Sequence, residues 1–100
     1  MEEAQPKLEK LEKFEYFLVN KLEEKIKETL IVENEVVRIV MIQRPIYDPF
    51  DKKFHTRGLL KIGKKYYTIV IEASKYFIFI KSKPIYLRIG WDELEEGEKQ

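Results

Sequence analysis

From residue 58 to residue 90 aliphatic side chains recur at every second position, in runs at 58–62, 65–73, 76–81 and 85–90. The first two separators, Gly63-Lys64 and Ser74-Lys75, are two residues long. Connections that short join antiparallel neighbours only, so the segment reads as a meander sheet. Gly63 suits such a turn because it takes a positive φ without steric cost. Lys83-Pro84 suits one less well, since a residue before proline resists unusual backbone angles, and a longer connection is expected there.

Tight turns also set the register. They place Leu60 opposite Tyr67, Ile71 opposite Ile78, Ile69 opposite Ile80, Ile80 opposite Leu87 and Ile78 opposite Ile89. One face then carries Leu60, Ile62, Ile69, Ile71, Ile78, Ile80, Ile85, Leu87 and Ile89, an aliphatic surface that has to be covered. The opposite face carries Lys61, Tyr66, Thr68, Val70, Glu72, Phe77, Phe79, Lys81, Tyr86 and Arg88. In the expected register Val70 and Arg88 flank Phe79, while Thr68 and Tyr86 flank Lys81.

The cover comes from residues 7–30. Leu8, Leu11, Phe14, Leu18, Leu22, Ile26 and Leu30 step by three or four and draw one apolar stripe, which predicts a helix. Tyr16, Phe17 and Val19 widen it, Pro6 suits the first turn, and Glu9/Lys13 and Glu23/Lys27 have the favourable i, i+4 spacing. The pattern breaks near Asn34, and residues 36–43 read as a first strand whose place in the sheet is open. Residues 44–57, RPIYDPFDKKFHTR, read as one structured loop, a length of connection that is often functional. The expected fold is α+β: an N-terminal amphipathic helix packed on a five-stranded, mostly antiparallel meander sheet. It forms a single domain over residues 1–100, with helix at 7–30, sheet at 35–90 and an acidic tail at 91–100 anchored by Trp91 and frayed beyond Gly97. The order of elements is similar to that of cystatin-like domains, a likeness of layout that carries no function.

Charge is sorted along the chain: −4 over residues 1–35, +9 over 36–89 and −4 over 90–100. Nine of the thirteen aromatic residues lie in the basic middle. The chain lacks cysteine, so disulfides, thiolate metal sites and a cysteine nucleophile are excluded. No apolar run approaches the roughly 18–20 residues of a membrane span, and no basic-then-apolar leader follows Met1, so a cytoplasmic location and no membrane partner are expected. Glu, Lys and Ile dominate while Asn, Gln, Met and Cys are scarce, the usage associated with hyperthermophile proteins. In this composition the chain resembles small Ile-, Lys-, Glu- and Tyr-rich proteins of crenarchaeal viruses and plasmids. The resemblance implies a thermostable protein working in the host-cell interior.

The catalytic inventory is thin. Ser74 and Ser82 fall in turns, the four glycines make no phosphate loop, and Glu72 is the single acid within the meander, so no catalytic residue and no cofactor are expected. The candidate site is the aromatic and basic face: Lys61, Tyr66, Phe77, Phe79, Lys81, Tyr86 and Arg88. Flat rings stack on bases and neighbouring cations neutralise phosphate, so DNA or RNA is the expected partner. The competing expectation is a homodimer through the same face, or a second small core under the 44–57 loop, since exposed apolar patches mark interfaces. A third is a metal-dependent nuclease with Asp48, Asp51 and His55 as ligands. Against it, Asp48 precedes Pro49 and Asp51 follows Phe50, and aspartates so placed usually bond to local backbone amides. The acidic helix and tail read as solvated surface.

Overall fold

A computed structural model describes residues 4–30, 35–82 and 85–98. Helices α1 (Ala4–Asn20) and α2 (Leu22–Thr29) precede the strands β1 (Val37–Ile42), β2 (Ile46–Asp48), β3 (Lys53–Ile62), β4 (Lys65–Ala73), β5 (Phe77–Ser82) and β6 (Ile85–Gly90), and α3 (Trp91–Glu98) follows directly. The fold is α+β, with the strands in the antiparallel order β1-β3-β4-β5-β6 and β2 also on β3. The expected breaks at Asn34 and Lys83-Pro84 lie outside the described residues.

The predicted helix at 7–30 is bent into two pieces rather than continuous. The bond ladder runs through the bend, with Lys21 N donating to Phe17 O at 2.8 Å and Lys25 N to Lys21 O at 3.0 Å. At the same point the Asn20 amide donates to Tyr16 O at 3.0 Å, and a side chain entering the ladder is a recognised cause of bending. Phe14, Phe17, Leu18, Leu22 and Ile26 are buried against the sheet, with Leu11 and Leu30 beside them. Phe17 widens the stripe as expected. Tyr16 and Val19 do not, and remain exposed. The Glu23/Lys27 pair forms at 3.7 Å, and Glu23 also accepts the amide of Ile39 at 2.8 Å, capping part of the β1 edge.

On the sheet, Leu60, Ile62, Ile69, Ile71, Ile78, Ile80, Ile85 and Ile89 are buried, and Leu87 packs beside them. Gly63 adopts φ 61° in its turn, and the β3/β4 and β5/β6 registers are the predicted ones. The β4/β5 register is not. Ile71 faces Ile80 and Ala73 faces Ile78, because the two-residue turn is Lys75-Tyr76 and Ser74 belongs to the ladder. Ser74 N donates to Phe77 O at 2.8 Å, and the Ser74 hydroxyl accepts Phe77 N at 3.1 Å. Moving the turn by one residue shifts the pairing by two, so every side chain keeps its face while its neighbours change.

The larger correction concerns residues 44–57. They are not a loop: β2 and the first half of β3 form a hairpin closed by residues 49–52. The first strand pairs with β3 and lies end to end with β2 along the same sheet edge. Register slips by one residue at Val40 and by another before Ile46, each an inserted residue of the bulge kind. Pro45, which cannot donate to a ladder, falls in the second gap. Gly58 is required beneath the first, since a Cβ there would lie 2.4 Å from Ile42 Cδ1 and 2.8 Å from Met41 O. Thr56 is buried and satisfied, its hydroxyl donating to Gln43 O at 2.5 Å.

The acidic tail is helical over Trp91–Glu98, with Trp91 as the expected anchor. Its indole donates to Ser74 O at 2.9 Å and its amide to Tyr76 O at 3.1 Å. Among the described residues no helix is long and apolar enough to cross a membrane.

Candidate nucleic-acid interface

Residues directly opposed across an antiparallel ladder point to the same side. The pairings therefore arrange the uncovered face in cross-strand rows, with neighbours about 5 Å apart. One row reads Arg38, Lys61, Tyr66. The next but one reads Arg57, Val70, Lys81, Tyr86. Beside it runs Ile46, His55, Glu72, Phe79, Arg88, and then Asp48, Lys53 on one side with Phe77 on the other. All seven residues expected from the sequence, Lys61, Tyr66, Phe77, Phe79, Lys81, Tyr86 and Arg88, share this face. The structure adds Lys53, His55, Arg57 and Arg38. The signal for the three on β3 is the odd-number spacing of Lys53, His55, Arg57, Leu59 and Lys61, which continues the polar side of the meander backwards past Gly58.

The corrected register changes what surrounds the aromatic rings. Glu72 and Arg88 flank Phe79, and Val70 and Tyr86 flank Lys81. Lys53 and Lys81 lie over the Phe79 ring, at 5.9 and 5.8 Å from its centroid, and Arg88 lies over Phe77 at 4.9 Å. Phe77 and Phe79 pack against each other at 6.0 Å and are half-buried under these cations rather than under a second core. The freely presented rings are Tyr66, 57% exposed with Lys61 5.4 Å from its centroid, and Tyr86, 69% exposed. Among the described residues, six cations, Arg38, Lys53, Arg57, Lys61, Lys81 and Arg88, thus share this surface with two acids, Glu72 and Asp48.

Glu72 holds the middle. Its carboxylate receives Lys81 Nζ at 3.2 Å and Lys53 Nζ at 3.3 Å, and His55 Nδ1 stands 4.0 Å away. Burial opposes its charge, but the hydrogen bonds from Lys81 and Lys53 and their positive charges prevail, so the carboxyl titrates below the ordinary glutamate range. A depressed folded-state pKa means the stabilisation is fully present above the unfolded value, about 4.3, and is lost as pH falls through the folded value. Glu72→Gln should therefore lower the melting temperature by a few degrees at pH 6, since partly exposed pairs contribute under about 1 kcal/mol. That difference should narrow as the pH falls toward 3. Thermal unfolding of both proteins at the two pH values measures it, and a gap independent of pH would contradict the role given to the carboxylate.

The hairpin tip brings Asp48, Asp51 and His55 together, with one donor atom from each inside a 4.8 Å span. The turn uses these groups itself. Asp48 Oδ1 accepts Phe50 N at 2.8 Å, Asp51 Oδ1 accepts Lys53 N at 3.0 Å, and Asp51 Oδ2 meets His55 Nε2 at 2.7 Å. Lys52 adopts φ 59° with its amide donating to Asp48 O at 2.8 Å. The aspartates perform the turn chemistry their sequence context predicts. No protein-family model matches the chain, and no solved structure matches it.

Proposed function

We propose that the chain is a non-enzymatic nucleic-acid-binding module that lays a strand across the uncovered face of its sheet. The observation carrying this reading is the continuous grid of Arg57, Lys53, Lys61, Lys81 and Arg88 around the exposed rings of Tyr66 and Tyr86. Cations at strand spacing neutralise phosphates, and rings between them accept bases in any sequence. Glu72 offsets only part of this charge, since its one negative charge is set against the two lysines Lys53 and Lys81.

The competing reading, a homodimer closed over the same face, meets an electrostatic objection. Two copies face to face would bring together surfaces on which six described cations outnumber two acids, and like charges set against each other cost several kcal/mol. The rings such a dimer would bury already lie beneath those cations. Light scattering separates the two: a monomer at high concentration is expected, whereas a dimer that Phe79→Glu dissociates would favour self-association.

The direct test is titration of labelled single- and double-stranded oligonucleotides, DNA and RNA, at two salt concentrations. If the five cations each meet a phosphate of a single strand, the logarithmic salt slope is about −3.5, and doubling the salt weakens binding about tenfold. Absence of binding to every oligonucleotide at about 50 mM salt would overturn the proposal.

A further inference from the structure

The tip of the β2/β3 hairpin presents Phe50 to solvent with 96% of its surface exposed. The backbone that carries it is tied down. Pro49 precedes it, its own amide is bonded to the Asp48 carboxylate, and the Asp51 carboxylate ties the next turn to Lys53 N and to His55. Lys52 closes the turn in the left-handed region, a conformation that costs a non-glycine residue about 1 kcal/mol or more and persists only where surrounding bonds enforce it. The result is an exposed ring carried on a constrained turn.

Its surroundings indicate what it meets. A groove of about 480 Å³ runs from Phe50 past His55 to Arg57 and Val70, which are members of the basic face, and Arg44 lines it as well. That volume lies in the range of small-ligand sites. The groove joins an aromatic platform to two guanidinium groups, the pairing that holds a base and its phosphates.

We infer that Phe50 is a base-stacking residue that receives one unpaired base of a single-stranded nucleic acid, with Arg44 and Arg57 contacting the flanking phosphates. The inference rests on the proposed nucleic-acid function and adds its specificity, because a base inside a duplex does not offer its face to a ring.

Titration of single-stranded and duplex oligonucleotides with wild type, Phe50→Ala and Phe50→Trp tests it. Loss of one stacked base weakens single-strand binding about tenfold. Duplex binding should change less than about twofold, and the salt slope should not change, since no charge is removed. Phe50→Trp should restore the affinity. Because Phe50 touches no core, circular dichroism of Phe50→Ala should match wild type. If single-strand binding by Phe50→Ala equals that of wild type, the stacking role fails and the face proposal stands. Equal weakening for single strand and duplex would also defeat it. If the wild type binds no oligonucleotide, both proposals fall.

Discussion

Phe14→Ala is expected to cost about 3–5 kcal/mol of folding stability, among the largest losses a single truncation in a core produces. Phe14 has no exposed surface, and its ring lies 6.3 Å from that of Phe54 at the centre of the contact between helix and sheet. The site cannot collapse easily. On one side stands a bent helix fixed by Phe17, Leu18 and Leu22, and on the other a sheet whose register is set by tight turns. A domain of this size is stable by about 5–15 kcal/mol, so the loss is a large part of the total. Chemical denaturation should show the midpoint falling steeply, while Val19→Ala, on the exposed side of the same helix, stays within about 0.5 kcal/mol of wild type. A loss at Phe14 below about 1 kcal/mol would mean that α1 does not dock as described.

The parts of the fold that were legible in the sequence are those where one physical signal dominates. The stripe from Leu11 to Leu30 and the aliphatic alternation from Leu60 to Ile89 each had a single period, and each forms the layer it predicts. The β4/β5 turn was misplaced because Ser74 offers two roles. As a small polar residue it suits a turn, but its hydroxyl accepts Phe77 N and its carbonyl accepts the Trp91 indole, so it closes the ladder instead. The contact with Trp91 is distant in sequence and leaves no local trace.

The hairpin at residues 46–62 was hidden for a different reason. The core side of its second strand reads Phe54, Thr56, Gly58 before the aliphatics begin, so hydrophobic alternation fades where the backbone continues extended. Thr56 is tolerated there because Gln43 O accepts its hydroxyl, and Gly58 because β1 passes too close for a side chain. Both reasons are tertiary. Reading these residues as loop removed Lys53, His55 and Arg57 from the candidate face and left it with half of its basic edge.

Arg57→Glu combined with Arg88→Glu should weaken oligonucleotide binding by about a hundredfold or more at a fixed salt of about 0.1 M, since each lost charged contact is worth about 1.5–3 kcal/mol. The two arginines stand on β3 and β6, on either side of the central Glu72, Lys81 and Phe79, so a strand crossing the face meets at least one of them. Both are exposed, and neither is among the groups bonded to Glu72, so the substitutions leave the ion pairs with Lys53 and Lys81 in place. The single-strand salt slope should become shallower by about 0.7 for each phosphate contact removed. The control carries the same change in net charge on the other layer: Lys25→Glu with Lys27→Glu, both on α2, whose Leu22 and Ile26 face the core. If binding followed net charge alone, the two double variants would weaken equally and the face would have no special part. Binding through the sheet face requires the β-layer pair to lose about a hundredfold while the helix pair loses a small factor, because charges beyond a Debye length of about 10 Å are largely screened.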